Sequence, residues 1–150
     1  MLVILSIKPK YADAILSREK TVEFRKVGFP NKADTVIIYS SNHIARIIGW
    51  FKIRNIVTLD PENAWKRYQK QGAIPKDEFD KYYKGAKKAV CIEIGPIHKI
   101  KPPIDPYKNI EHFIPPQSFR YMMMPDYQGL INHIDYLKHI PLDSFSGGTQ

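Results

Sequence analysis

The sequence predicts an α+β fold, and three observations carry the prediction. Short runs rich in β-branched and aromatic residues recur at Leu2 to Ile7, Thr35 to Ser41, Ile44 to Leu59 and Ala89 to Ile94, the composition of strands. Between them lie segments with helical spacing and recognisable start and stop signals. The run from Ile44 to Leu59 is long and is interrupted by Gly49, which marks a bulge or a close backbone approach and lets a long strand bend around a barrel.

Leu2 to Ile7 shows little alternation, as expected of a strand buried on both faces. Pro9 suits the first turn of a helix, and Tyr11, Ala12, Ile15 and Leu16 then recur at helical spacing through Ser17. Arg18 and Glu19 form the following turn, and Lys20 to Arg25 the next strand. On that strand Thr21, Glu23 and Arg25 share one side while Val22 and Phe24 take the other. A solvated edge strand has the same outline, so the pattern alone leaves both readings open.

Gly28, Pro30 and Asn31 mark a surface loop, and Thr35 to Ser41 follows as a strand ending in Ser40-Ser41-Asn42-His43. After Leu59, Asp60 is placed as an N-cap with Pro61 at the first helical position, and the helix is expected to run to about Gln71. Its Trp65 reads as a packing residue. A second helix is expected over Ile74 to Tyr83, acidic at its start and basic at its end, as the helix dipole prefers. The proline-rich stretch Lys99 to Pro106 is expected to lie extended on the surface. In the last third, Tyr127 to His139 reads as a helix, Met122 to Met124 as core filler, and Phe145 to Gln150 as a fraying end.

At 150 residues the chain is most economically one domain. Its 23 Lys and Arg against 15 Asp and Glu give a net charge of +8, which favours polyanionic partners. RNA or a nucleotide is the expected ligand, with DNA kept as an alternative. Cys91 is alone, so no internal disulfide forms, and its apolar setting reads as core. No run approaches the roughly 20 apolar residues of a membrane span, and Lys8-Pro9-Lys10 interrupts the apolar start before it resembles a signal peptide. A cytoplasmic location without membrane association is expected. Nothing in the pattern bears on oligomeric state.

The five histidines are scattered, with no spacing that pairs them with a carboxylate or the cysteine, and no phosphate-binding glycine loop is present. No metal or cofactor is expected. What remains is the charged cluster. Lys20 and Arg25 flank the Glu23 carboxylate and can donate to a phosphate or a base carbonyl, while Glu23 can accept from a base amino group. A structural Glu23–Arg25 ion pair is the competing reading.

These residues also resemble a known pattern. Ile4-Leu5-Ser6-Ile7-Lys8-Pro9, the helix, and Lys20-x-x-Glu23-x-Arg25 are similar to the start of an ASCH domain, a branch of the PUA-like superfamily whose motif is G-x-K-x-x-[E/T]-x-R. Lys20, Glu23 and Arg25 match, and Arg18 stands where glycine is usual. The similarity continues through Ile38-Tyr39-Ser40-Ser41, Ile48-Gly49-Trp50-Phe51, the two helices and Ala89 to Ile94, covering about two-thirds of the chain. It implies a small PUA-like β-barrel with helices packed at its ends over residues 1–106, and an irregular C-terminal extension, residues 107–150, packed on the same domain. It also implies a cleft that handles RNA or modified nucleosides, to which Lys8, Lys20, Glu23, Arg25, Tyr39, Ser40 and Ser41 would contribute binding groups. Pro115 to Tyr121 is expected either to fold over the cleft, with Gln117, Arg120 or Tyr121 contributing, or to run as a surface-hugging connector.

One branch of that family hydrolyses acetylcytidine with a motif lysine, a threonine nucleophile and a separate glutamate. Lys20 fits the first role, but Glu23 occupies the threonine position and the acid falls near Gly72. Recognition of RNA or a modified nucleotide is therefore the leading expectation. The alternatives are a metal-independent enzyme on RNA or a nucleoside, a ribonuclease or an amidohydrolase, with Lys20 and Glu23 as its catalytic pair, and a small-ligand sensor.

Overall fold

The computed structural model describes residues 1–145. In chain order its main elements are β1 (Leu2–Ile7), α1 (Pro9–Leu16), β2 (Val22–Arg25), β3 (Thr35–Ser40), β4 (Arg46–Leu59), α2 (Pro61–Tyr68), α3 (Lys76–Tyr82), β5 (Ala89–Ile104), α4 (Pro106–Asn109), β6 (Phe119–Tyr121) and α5 (Met124–Leu130), followed by short 3-10 turns at Asp135–His139 and Leu142–Ser144. The strands form one mixed sheet, ordered β2-β5-β4-β3-β1-β6. Only the β1·β3 pair is parallel, because α1, β2 and the loop to Asp34 return the chain to the same end of the sheet. The sheet curls into a half-barrel, and the fold is α+β. Arg25 on edge strand β2 donates to the Ser6 carbonyl of β1 and to Ser118 beside β6, so the two edges of the curl are joined through this side chain.

Alternation along the strands builds three apolar layers. Val3, Leu5 and Ile7 of β1 point into the curl with Val36, Ile38, Phe51, Ile92 and Ile94, where Ala12 and Ile15 of α1 plug one end. Leu2 and Ile4 face outward with Ile37, Ile47 and Trp50, and the C-terminal segment covers them with Ile110, Phe113, Met122, Leu130 and Leu137. Val22 and Phe24 pack against Tyr68 of α2 and Phe79 of α3. Each such buried aliphatic or aromatic side chain contributes roughly 1.5–3 kcal/mol. Both faces of β1 are therefore covered, which accounts for its unbroken apolar run.

Several local features follow the sequence signals. Asp60 caps α2 by accepting from the Asn63 amide at 2.9 Å. The register of β4 shifts around Gly49, where an added Cβ would lie 2.7 Å from the His98 carbonyl oxygen, so only glycine permits this approach. Trp65 packs on Phe79 with ring centroids 5.0 Å apart, and Met122 is core, whereas Met123, also expected in the core, caps the start of α5 and is exposed. Burial pushes the Cys91 thiol up to about 11, consistent with an inert core residue.

Other features depart from expectation. Strand β5 does not stop at Ile94 but continues to Ile104, so the proline-rich stretch is extended and largely exposed, as expected, but as part of a strand. Proline is accommodated because the pairing with β4 skips Gly95-Pro96, and Gly95 supplies the close contact with the Lys52 carbonyl that this irregularity needs. The expected helix over Tyr127 to His139 is split: α5 ends at Leu130, and a separate 3-10 turn brings Leu137 onto the same core. Helix α2 ends at Tyr68, three residues before Gln71. Phe145 does not fray but is buried with its ring 4.6 Å from that of Tyr127, while 146–150 lie outside the described residues. The C-terminal segment also adds β6 to the sheet edge. No helix among the described residues is long and apolar enough to cross a membrane.

Candidate functional site

The turn from α1 into β2 sets the site. Arg18, at the position where the resembled motif has glycine, adopts φ 68°, the left-handed geometry that terminates a helix. An L side chain there costs roughly 1–2 kcal/mol relative to glycine. The turn aims Lys20 inward, and β2 then alternates Val22 and Phe24 toward α2 and α3, and Glu23 and Arg25 toward a cleft. The charged face is thus not a solvated edge: Lys20 is 2% exposed and Glu23 5%.

The three charges form a trio with few spare protons. Lys20 Nζ lies 3.5 Å from Glu23 Oε1 and donates to the Gly72 carbonyl at 2.5 Å. It also sits 5.2 Å from the ring centroid of Tyr11 and 5.4 Å from that of Phe24. Burial lowers the Lys20 pKa, and the nearby Glu23 charge opposes that shift. Arg25 donates to Glu23 Oε2 at 3.0 Å, to the Ser6 carbonyl at 3.4 Å and to Ser118 Oγ at 2.7 Å. Ser6 Oγ in turn donates to the Pro116 carbonyl at 2.6 Å, and its amide to the Ser118 carbonyl. The strap from Pro115 to Ser118 is therefore tied across the cleft by β1 and by Arg25.

Gly72, where the resemblance placed an acid, contributes no carboxylate. Its carbonyl receives Lys20, and an added Cβ would come within 2.1 Å of the Phe24 ring. A second carboxylate comes instead from α3: Glu78 accepts from the Tyr11 hydroxyl and from Lys10 Nζ at 3.4 Å. The Tyr11 hydroxyl pKa is raised, first by burial and then by this bond, and the same bond lowers that of Glu78. Among the described residues no group of three or more His, Cys, Asp or Glu is arranged to hold a metal.

The cleft has a volume of about 1050 Å³. It brings together Lys8, Lys20, Glu23, Arg25, Tyr39 and Ser41 from the expected set. Ser40 is not on its lining. Alternation along β3 turns Ser40 away from Tyr39 and Ser41, leaving it 1% exposed with a buried hydroxyl that has no hydrogen-bond partner among the described residues. Of the strap residues, Gln117 lines the cleft, whereas Arg120 forms a bidentate pair with Asp126 and Tyr121 donates to the Asn31 carbonyl.

The rim also holds residues that the sequence reading missed. Lys10 and Tyr11 come from α1, Lys81 and Tyr82 from α3, Lys26 from beyond β2 and Tyr107 from α4. Lys26 Nζ lies 4.7 Å from the Tyr82 ring centroid. Burial, followed by the neighbouring Tyr107 hydroxyl, pushes the Tyr39 hydroxyl up to about 12. The adjacent pairs Lys10-Tyr11 and Lys81-Tyr82 were the available signal, a cation beside a ring. Tyr11 had been absorbed into an apolar helical stripe.

Residues 1–115 match the family described as Domain of unknown function (DUF365). The chain is 30% identical over 132 residues to the ASCH domain-containing ribonuclease of Zymomonas mobilis, covering 86% of this chain and 89% of that protein. The crystal structure of ASCH from Zymomonas mobilis superposes with a TM-score of 0.79 at 27% identity, covering 87% of this chain and 94% of that one. A 104-residue stretch is also 30% identical to large ribosomal subunit protein uL22 of Ureaplasma parvum, covering 69% of this chain and 33% of that protein.

Proposed function

The chain belongs to the ASCH-domain family, the DUF365 match included, and from that premise we propose that its cleft binds single-stranded RNA. The observation that carries this reading is the make-up of the rim. Lys8, Lys10, Lys26 and Lys81 line the same opening as Tyr11, Tyr82 and Tyr107, whereas Tyr39 is buried behind it. Single strands are held by this combination, in which cations track the phosphates and aromatic faces stack the bases. A duplex keeps its bases stacked on one another and offers such a cleft only its backbone.

Backbone cleavage is the second reading, favoured by the near full-length similarity to a protein named as a ribonuclease. Cleavage within the RNA would have the ribose 2′-oxygen attack the adjacent phosphorus while the 5′-oxygen leaves. One group takes the 2′ proton and another returns a proton to the leaving oxygen. Lys20 and Glu23 are committed to each other in the floor, whereas Glu78 is exposed at the rim with its carboxylate on Tyr11. Glu78 is the acceptor we assign to the 2′ proton, and Lys8 and Lys10 the cations facing the phosphorane.

Titration of labelled single-stranded RNA at about 50 and about 200 mM salt tests the first reading. If each of the four rim lysines neutralises one phosphate, affinity falls about fiftyfold between the two conditions. Affinity that ignores salt, or no binding at the lower concentration, contradicts it. Electrophoresis of the same RNA after incubation tests the second, with products expected from the native protein and lost in Glu78→Gln.

A further inference from the structure

We propose that Glu23 selects guanine by accepting the two donors of its Watson–Crick edge. The proposal rests on the RNA-cleft reading and adds which base the floor takes. Among the described residues each Glu23 oxygen has one partner, Lys20 at Oε1 and Arg25 at Oε2. An ionised carboxylate has about four lone-pair sites and no proton to give, so each oxygen keeps room for one more donor. Glu23 also lines the cleft. The floor therefore presents two neighbouring acceptors and requires two neighbouring donors.

Only one of the four bases supplies them. Guanine offers N1–H and the N2 amine side by side. Adenine and cytosine each place a ring acceptor beside their single amine, and uracil flanks one N–H with two carbonyls. An acceptor facing Glu23 would be repelled, and an unpaired acceptor in so closed a place is costly. Charge also decides the ligand's orientation. The floor cations Lys20 and Arg25 are already bonded to Glu23, the Gly72 and Ser6 carbonyls and Ser118, whereas Lys8, Lys10, Lys26 and Lys81 at the rim receive the phosphate. The base goes in and the phosphate stays out. Tyr11 and Tyr82 line the same cleft as Glu23 and are the rings available to a base that reaches it.

The test uses the native protein and competition against bound labelled RNA by GMP, inosine monophosphate, AMP, CMP, UMP and dGMP. GMP should compete best. Inosine monophosphate lacks only the N2 amine and should be about tenfold weaker, the effect of one hydrogen bond to a charged group. AMP, CMP and UMP should be weaker still, and dGMP close to GMP. Equal competition by all the ribonucleotides overturns the proposal. Equal ribonucleotides with a weaker dGMP would assign Glu23 to the ribose hydroxyls and also overturn it. Failure of labelled RNA itself to bind overturns the cleft reading, and this proposal with it.

Discussion

Arg25→Ala lowers the stability of the fold by on the order of 3 kcal/mol and releases the strap over the cleft. That figure is the lower end of what breaking a buried ion pair costs, appropriate because the Arg25 side chain keeps 14% exposure. The effect should appear as a fall in Tm of about 6–12 °C for a chain of this size. Three attachments vanish together: Glu23 Oε2, the Ser6 carbonyl and Ser118 Oγ. Arg25→Lys keeps the charge but loses the fork that spans them, so it should fall between the native protein and Arg25→Ala. Thermal melts of the three proteins, with RNA affinity measured beside them, check this. A stable Arg25→Ala protein with native affinity would show that the sheet edges and the strap do not depend on this side chain.

Lys20→Met should cost a similar amount, about 3 kcal/mol, for a different reason. Methionine fills most of the volume, so little cavity arises, but the Gly72 carbonyl loses its side-chain donor and Glu23 keeps only Arg25. The signature is in the pH dependence. Burial lowers the Lys20 pKa in the folded state, so between its folded and unfolded values the unfolded chain binds more protons, and stability rises with pH in that window. The native protein should therefore gain stability on Lys20→Met as pH rises toward the ordinary lysine range. Raised tyrosine pKa values at Tyr11 and Tyr83 act oppositely above the ordinary tyrosine range, so denaturant titrations should stay below it. A constant difference between the two proteins across that window would contradict the buried, strained charge.

The sequence made parts of this site readable and hid others for physical reasons. Glu23 and Arg25 on one face of a strand and Val22 and Phe24 on the other is a period-2 statement, and it needs no knowledge of distant residues. Asp60 and Gly49 were legible for the same reason, since capping and close approach are local. The depth of the charge trio was not legible, because it is created by α2, α3 and the strap arriving from far along the chain. Strand β5 was cut short because proline removes a ladder donor, and nothing local showed that the pairing skips Gly95-Pro96. Ser40 was placed in the cleft with its neighbours although alternation separates it from them. Tyr11 was assigned to packing, yet one side of its ring covers Lys20 and its hydroxyl reaches Glu78.

Photo-crosslinking of single-stranded RNA carrying thio-substituted bases, followed by peptide mapping, tests the central claim most directly. Adducts are expected on Tyr11, Tyr82 or Tyr107, around the cleft whose floor is Lys20, Glu23 and Arg25. Adducts confined to the opposite side of the sheet, at the stacked rings of Trp50 and His98, would place the RNA elsewhere and contradict it.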